Sequence, residues 1–160
     1  MRGSKILVSS NPKGVFLEGT VVGTPLPGSW GMVQAGTPAV NGRHTWVPYA
    51  PTADGDPRLV AIFLEDDLQG LTASQPYVSG TRCFLYCPLG GEELNVLTLG
   101  EPGTGSANAF FVGTRLIGAH LSGKFVVTAT SSLYAPFVVL EHIDQTPPNT
   151  DTLVWAMYQG

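Results

Sequence analysis

The sequence predicts an all-β protein, a small antiparallel β-barrel or sandwich with an extended N-terminal arm and a long aromatic, proline-rich loop. Short β-rich runs recur along the chain, and turn residues such as Asn41-Gly42, Gly90-Gly91 and Pro147-Pro148-Asn149 separate them. No window keeps the i, i+3, i+4, i+7 spacing of an amphipathic helix before glycine or proline interrupts it. Many short strands at such spacing are the mark of a barrel or sandwich.

Residues 1–20 read as an arm, because Ile6-Leu7-Val8 and Val15-Phe16-Leu17 flank the polar, turn-rich Ser9-Ser10-Asn11-Pro12-Lys13-Gly14. Such a segment either orders on a partner or is a frayed terminus followed by a first edge strand. Residues 21–160 read as the barrel domain, with a loop insertion near 26–56 that carries Trp30, Trp46 and Tyr49. Exposed Trp and Tyr favour interfaces, and aromatics buried under a long loop explain the same residues.

The predicted strands run from Gly19 to Val22, Trp30 to Gln34, Thr45 to Tyr49, Leu59 to Leu64, Arg82 to Cys87 and Glu93 to Leu99. Four more follow, from Ala109 to Val112, Lys124 to Ala129, Phe137 to Ile143 and Thr152 to Tyr158, and Leu116–Leu121 is a candidate helical turn. The stretch from Gly80 to Leu97 reads as strand, tight turn and strand. Leu59–Leu64 and Pro136–Leu140 are apolar on both faces, so each needs core on one side and cover on the other. Thr152–Tyr158 would be a sticky edge unless it is paired within the fold.

The chain has 160 residues, 43% of them hydrophobic, enough to bury a core and to exclude disorder. Only 12% are charged, against about 25% in ordinary domains, so part of the surface is expected to be hidden in an assembly. Net charge is −4 and the basic residues are scattered singly, which argues against nucleic-acid binding. No apolar run approaches the roughly 18 residues of a membrane span, and the N-terminal apolar stretch is too short for a signal peptide.

Chemistry-bearing patterns are weak throughout, and neither enzymatic activity, cofactor nor metal is expected. There is no nucleophile elbow, P-loop or HExxH. Gly103-Thr104-Gly105 begins a dinucleotide fingerprint, but Asn108 stands at its third glycine. His142 and Asp144 share a strand face, as a metal site would need and as a solvent-facing pair also would. His44 reads as loop surface, and His120 has no partner visible in the sequence. Glu65-Asp66-Asp67 and Glu92-Glu93 are adjacent, not opposed, so they read as solvated turns, not a glycosidase pair. Asp54-Gly55-Asp56 lacks the spacing of a calcium loop. Cys83 and Cys87, four apart on one strand face, lie about 13 Å apart, too far for a disulfide, and read as packing thiols.

The order of pieces resembles a known family. Gly36-Thr37-Pro38 leads to a Gly55 loop, then Leu59–Asp66 with Gly70-Leu71, then Tyr77–Leu94, Phe111–Leu116 and Gly123–Val127, and finally an apolar closing strand. This pattern is similar to the decoration, or cement, proteins of tailed-bacteriophage capsids, over roughly residues 30–158. The resemblance implies a protein made in the host cytoplasm and carried on the outer surface of the virion head. There it would bind the major capsid protein lattice, as a trimer or a dimer, with a terminal arm reaching over neighbouring subunits. The contact residues expected on this reading are Ile6, Leu7, Val8, Val15, Phe16, Leu17, Trp30, Trp46 and Tyr49. Other readings are a tail, fibre or baseplate barrel, or a glycan-binding module that stacks sugars on Trp30, Trp46 and Tyr49.

Overall fold

The computed structural model describes residues 5–8, 10–34, 43–49, 60–99, 109–119, 123–128, 134–144 and 151–160. The strands are β1 (Val15–Val21), β2 (Trp30–Val33), β3 (His44–Pro48), β4 (Ala61–Phe63), β5 (Arg82–Cys87) and β6 (Glu93–Thr98). They continue as β7 (Ala109–Phe110), β8 (Arg115–Gly118), β9 (Phe125–Thr128), β10 (Phe137–Val139), β11 (Ile143–Asp144) and β12 (Thr152–Tyr158). A single 3-10 turn at Asp67–Gln69 is the only helical element among the described residues. The all-β expectation holds. The candidate helical turn at Leu116–Leu121 is corrected, since Leu116, Ile117 and Gly118 pair with β9.

Two closed barrels form instead of one. The first runs β1-β3-β2-β4-β5 and the second β10-β12-β6-β9-β8, with β7 and β11 as a two-stranded ribbon beside them. In each barrel one pair is parallel, β1 with β3 and β6 with β9, and the others are antiparallel. Closure leaves the long edges paired, which is how β12 avoids being a free edge.

The barrels share one wiring. β6 pairs with β9, β12 with β6, β8 with β9 and with β10, and β10 with β12, as β1 pairs with β3, β5 with β1, β2 with β3 and with β4, and β4 with β5. The register matches too. Taken through these pairings, Trp30–Val33 corresponds to Arg115–Gly118, Ala61–Phe63 to Phe137–Val139, and Val15–Val21 to residues 92–98. A pair of backbone bonds marks the correspondence: Val22 N–H donates to Trp46 O, and Leu99 N–H donates to Phe125 O, both at 2.8 Å.

Inward-facing side chains follow from strand alternation. The first barrel packs Val21, Trp46, Ala61, Phe63, Cys83 and Leu85 inside, and the corresponding Thr98, Phe125, Phe137, Val139, Val154 and Ala156 are buried in the second. The doubly apolar strand near residues 59–64 is explained by this arrangement. Ala61 and Phe63 face the first barrel's interior, while Ile62 joins the core that includes the second barrel.

The barrels are joined by backbone and by one aromatic cluster. Leu97 N–H donates to Gly28 O at 2.8 Å, and Trp30 N–H to Gly123 O at 2.7 Å. Trp30 leaves the outer face of β2 and stacks on Phe125, with centroids 5.3 Å apart and rings 10° from parallel, and it meets Tyr49 at 4.4 Å. Gly118 makes room for it, since a Cβ there would lie 2.6 Å from the indole. The section near 26–56 is therefore no appendage. β2 and β3 supply two staves of the first barrel, and residues 35–42 and 50–59 lie outside the described residues.

The boundary expected at residue 20 falls inside β1. Val15–Thr20 pair residue by residue with β5, from Val15 opposite Cys87 to Thr20 opposite Arg82. What precedes β1 is a shorter segment, and it folds back onto the second barrel. Leu7 pairs antiparallel with Leu94, Val8 N–H donates to Glu93 O, and Asn95 N–H donates to Ile6 O at 2.7 Å.

Candidate contact surface

β5 and β6 pair in different barrels and not with each other, and the chain passes between them through a turn at Leu89-Gly90-Gly91-Glu92, where Glu92 N–H closes on Leu89 O and Gly91 takes φ 89°. That left-handed position suits glycine. The turn brings Glu92 under the N-terminal segment. Its Oε1 accepts hydrogen bonds from Lys13 N–H at 2.5 Å and from the Tyr86 hydroxyl at 2.6 Å, and a longer one from Gly14 N–H; Oε2 accepts from Leu89 N–H at 2.6 Å. Gly14 N–H also donates to the Tyr86 hydroxyl at 2.6 Å.

Glu92 is 7% exposed, which corrects the solvated turn expected at Glu92-Glu93. Burial raises its carboxyl, but the Tyr86 hydroxyl and the converging N–H groups outweigh that and hold it below the ordinary carboxylate value. Burial and the bond to Glu92 push the Tyr86 hydroxyl up to about 12. The cluster is a latch between the chain leading into β1 and the β5–β6 turn, with its donors and acceptors matched.

A second fastening lies at the arm's start. Ile6 N–H donates to Glu65 Oε1 at 2.6 Å, and the Asn95 side-chain amide donates to Lys5 O at 2.6 Å. Burial raises the Glu65 carboxyl, partly offset by its backbone hydrogen bonds. Its neighbour Asp66 is 1% exposed, pairs with Arg82 at 3.5 Å and accepts from Leu68 N–H, which corrects the solvated reading for Asp66, while Asp67 is exposed at the 3-10 turn.

The nine residues expected at a contact surface divide sharply. Ile6, Trp30, Trp46 and Tyr49 are at most 4% exposed, and this corrects their assignment: they are core, with no surface to offer a partner. The sequence could not separate exposed aromatics from buried ones, because their cover is tertiary: Trp46 packs inside the first barrel, and Trp30 stacks on Phe125 of the second. Leu7 and Leu17 are half-buried. Val8 is 41% exposed and Val15 and Phe16 are each 57% exposed. Phe16 lies against the Tyr86 ring, centroids 4.8 Å apart, at the end of β1 next to the latch. Leu89, Val78, Phe111 and Val112 are further exposed apolar residues, all at turns, which no periodicity singles out.

No protein-family model matches this sequence, and no curated protein matches it.

Among the described residues no group of three or more His, Cys, Asp or Glu side chains is placed to hold a metal ion. His142 is exposed and lies against the Phe111 ring at 4.8 Å. His44 is exposed on β3. His120, Asp54-Gly55-Asp56 and Gly103-Thr104-Gly105 lie outside the described residues. Cys83 and Cys87 are free thiols; Cys83 is fully buried, and burial pushes it up to about 12. A cavity of about 670 Å³ opens between Leu26, Ala73, Leu97 and Leu153, with Thr72, Ser74, Asp151 and Thr152 at its rim. The rim groups are spoken for: the Thr72 and Ser74 hydroxyls bond each other, and Lys124 pairs with Asp151.

Proposed function

We propose that this chain is a structural cement protein of a tailed-phage head, which binds the outer surface of the capsid lattice and bridges major capsid protein subunits, as a trimer. The observation that carries the reading is its surface chemistry. Two closed barrels carry few charges, 12% of the residues, and leave large apolar side chains exposed at turns and at the start of β1. A sparsely charged exterior with large apolar side chains exposed suits a protein that spends its life against a partner. The contact residues on this reading are Val8, Val15 and Phe16, with Leu89 beside the latch.

Stabilisation is multivalent. Each copy touches several capsid subunits, so weak contacts add through effective concentration, and a subunit leaves only when several contacts break together. Fractionation of virions into heads and tails, with mass spectrometry of each, tests the proposal. The chain is expected in the head fraction at a fixed ratio to the major capsid protein; recovery with tails would favour a tail, fibre or baseplate barrel. The glycan-binding reading loses its stacking platforms, since Trp30, Trp46 and Tyr49 are packed inside.

A further inference from the structure

One turn occurs twice in the molecule, buried in one place and exposed in the other. Leu26-Pro27-Gly28-Ser29 leads into β2, and Phe111-Val112-Gly113-Thr114 leads into β8, the strand that matches β2. Gly28 and Gly113 take φ 87° and 88°. Ser29 N–H closes on Leu26 O, as Thr114 N–H closes on Phe111 O. Each turn is then clamped to a strand of its own barrel. Gly28 N–H donates to Phe63 O at 2.8 Å and Phe63 N–H to Ser29 O at 3.0 Å; Gly113 N–H donates to Val139 O at 2.9 Å and Val139 N–H to Thr114 O at 2.8 Å.

The first turn is a wedge between sheets. Gly28 O accepts Leu97 N–H at 2.8 Å, and a Cβ on Gly28 would lie 2.6 Å from Leu153 Cδ2 and 3.2 Å from Asn95 O. Pro27, Gly28 and Ser29 are buried there. The wedge leaves its mark on the pairing: β6 and β9 meet only at Thr98 and Phe125, while the matching β1 and β3 pair over three residues. The second turn has the same backbone and stands in solvent. Val112 is 66% and Phe111 50% exposed, and a Cβ on Gly113 would meet nothing within 4 Å.

We propose that Phe111–Thr114 is a second wedge, which seats in the sheet of another protein. Gly113 O accepts a free N–H of a strand edge there, and Phe111 and Val112 cover the apolar side chains beside it, as the Leu26–Ser29 turn seats beside Leu97 and Leu153. A second copy offers no such seat. In its first barrel the residues matching Leu97 and Gly123 are Thr20 and His44, where β1 and β3 already pair. In its second barrel the seat on β6 holds its own Leu26–Ser29 turn. The occupant is therefore a different protein that presents an unpaired strand edge with apolar neighbours. The inference does not depend on that protein being a capsid subunit.

The test uses the full 15N-labelled chain and, as probe, a disulfide-closed hairpin peptide that pairs Asn95–Thr98 with Thr152–Trp155 as β6 and β12 do. Such a peptide presents the seat that the first turn uses. Saturable shifts of the Val112, Gly113 and Thr114 amides are expected. N-methylation of the peptide's leucine that corresponds to Leu97 removes the donor and should abolish them. The variant Phe111→Ser/Val112→Ser, altered only at exposed positions, should bind more weakly by about tenfold or more. Shifts confined to Gly28, Ser29 and Leu97 would mean that the peptide only competes for the filled seat, and would overturn the proposal. So would shifts that survive N-methylation, or no shift at millimolar peptide. Broadening of the Val112–Thr114 amides that grows with protein concentration, without peptide, would assign the turn to a second copy and overturn the choice of partner.

Discussion

Gly31 sits against Leu85 inside the first barrel, and a Cβ on Gly31 would come within 2.6 Å of Leu85 Cδ2 and 2.7 Å of the Phe63 ring. The corresponding positions in the second barrel hold Leu116 and Ala156, both buried. The large and small partners have changed places while the space between the staves is still filled. Close packing makes such exchanges costly singly and tolerable in pairs.

Gly31→Ala is therefore expected to lower stability by about 1–3 kcal/mol through overpacking, and Leu85→Ala by about 2–5 kcal/mol through a cavity. The double variant should be more stable than the sum of the two losses requires, with a coupling of roughly 0.5–3 kcal/mol. Urea denaturation of the four proteins measures it; strict additivity would show that the two sites do not share one space.

Glu92 makes the latch acid-sensitive. Its carboxyl lies below the ordinary value in the folded chain, so its contribution is complete above the unfolded value near 4.5 and is lost as pH falls through the folded one. Glu65 is raised and acts in the opposite sense: its protonated form is favoured by the fold, so its ionisation erodes stability as pH rises past 4.5. Glu92→Gln should cost about 1–3 kcal/mol at neutral pH, because an amide N–H₂ would face the Leu89 N–H. Denaturation followed from pH 3 to 7 should show a smaller rise in stability with pH for the variant. An unchanged slope would remove the latch as its source.

The N-terminal segment is part of the second barrel, so trimming it should weaken the fold as well as any partner binding. Ile6→Ala, at a fully buried position, is expected to cost about 2–5 kcal/mol. Removing residues 1–8 should uncover Leu94 and raise binding of a hydrophobic dye. A truncated chain with unchanged melting temperature would show that the segment only rests on β6.

The thiols offer a check on the interior. Cys83 is fully buried and pushed up to about 12, and burial also raises the half-buried Cys87. Thiolate is the reactive form. Ellman's reagent at pH 8 should therefore label the native chain slowly and both thiols promptly once urea unfolds it. Fast native labelling of Cys83 would contradict the packing of the first barrel.

The strands were legible where alternation and turn chemistry agree, as in Arg82–Cys87, Glu93–Thr98 and Thr152–Tyr158. The repeated barrel was not legible. Its signal lies in pairings between distant residues, and the inward positions changed size between copies, Gly19 with Trp46 in one and Val96 with Phe125 in the other. Leu116–Leu121 looked helical because β8 and its neighbours are apolar on both sides of the strand, which blurs the period. The burial of Glu92 was invisible for a similar reason: its donors at Lys13 and Gly14 are 79 and 78 residues away in sequence. Exposure was not legible, since exposed Val15 and Phe16 and buried Trp30 and Trp46 look equally apolar on paper.

The most direct measurement of the proposed cement role is a titration of the purified chain onto tailed-phage heads prepared without it, followed by co-sedimentation. Saturation at a fixed ratio to the major capsid protein, with heads that then withstand a higher temperature, is the expected result. Failure to co-sediment with heads at any concentration, under conditions where tails do carry the chain down, would contradict the proposal that it cements the shell.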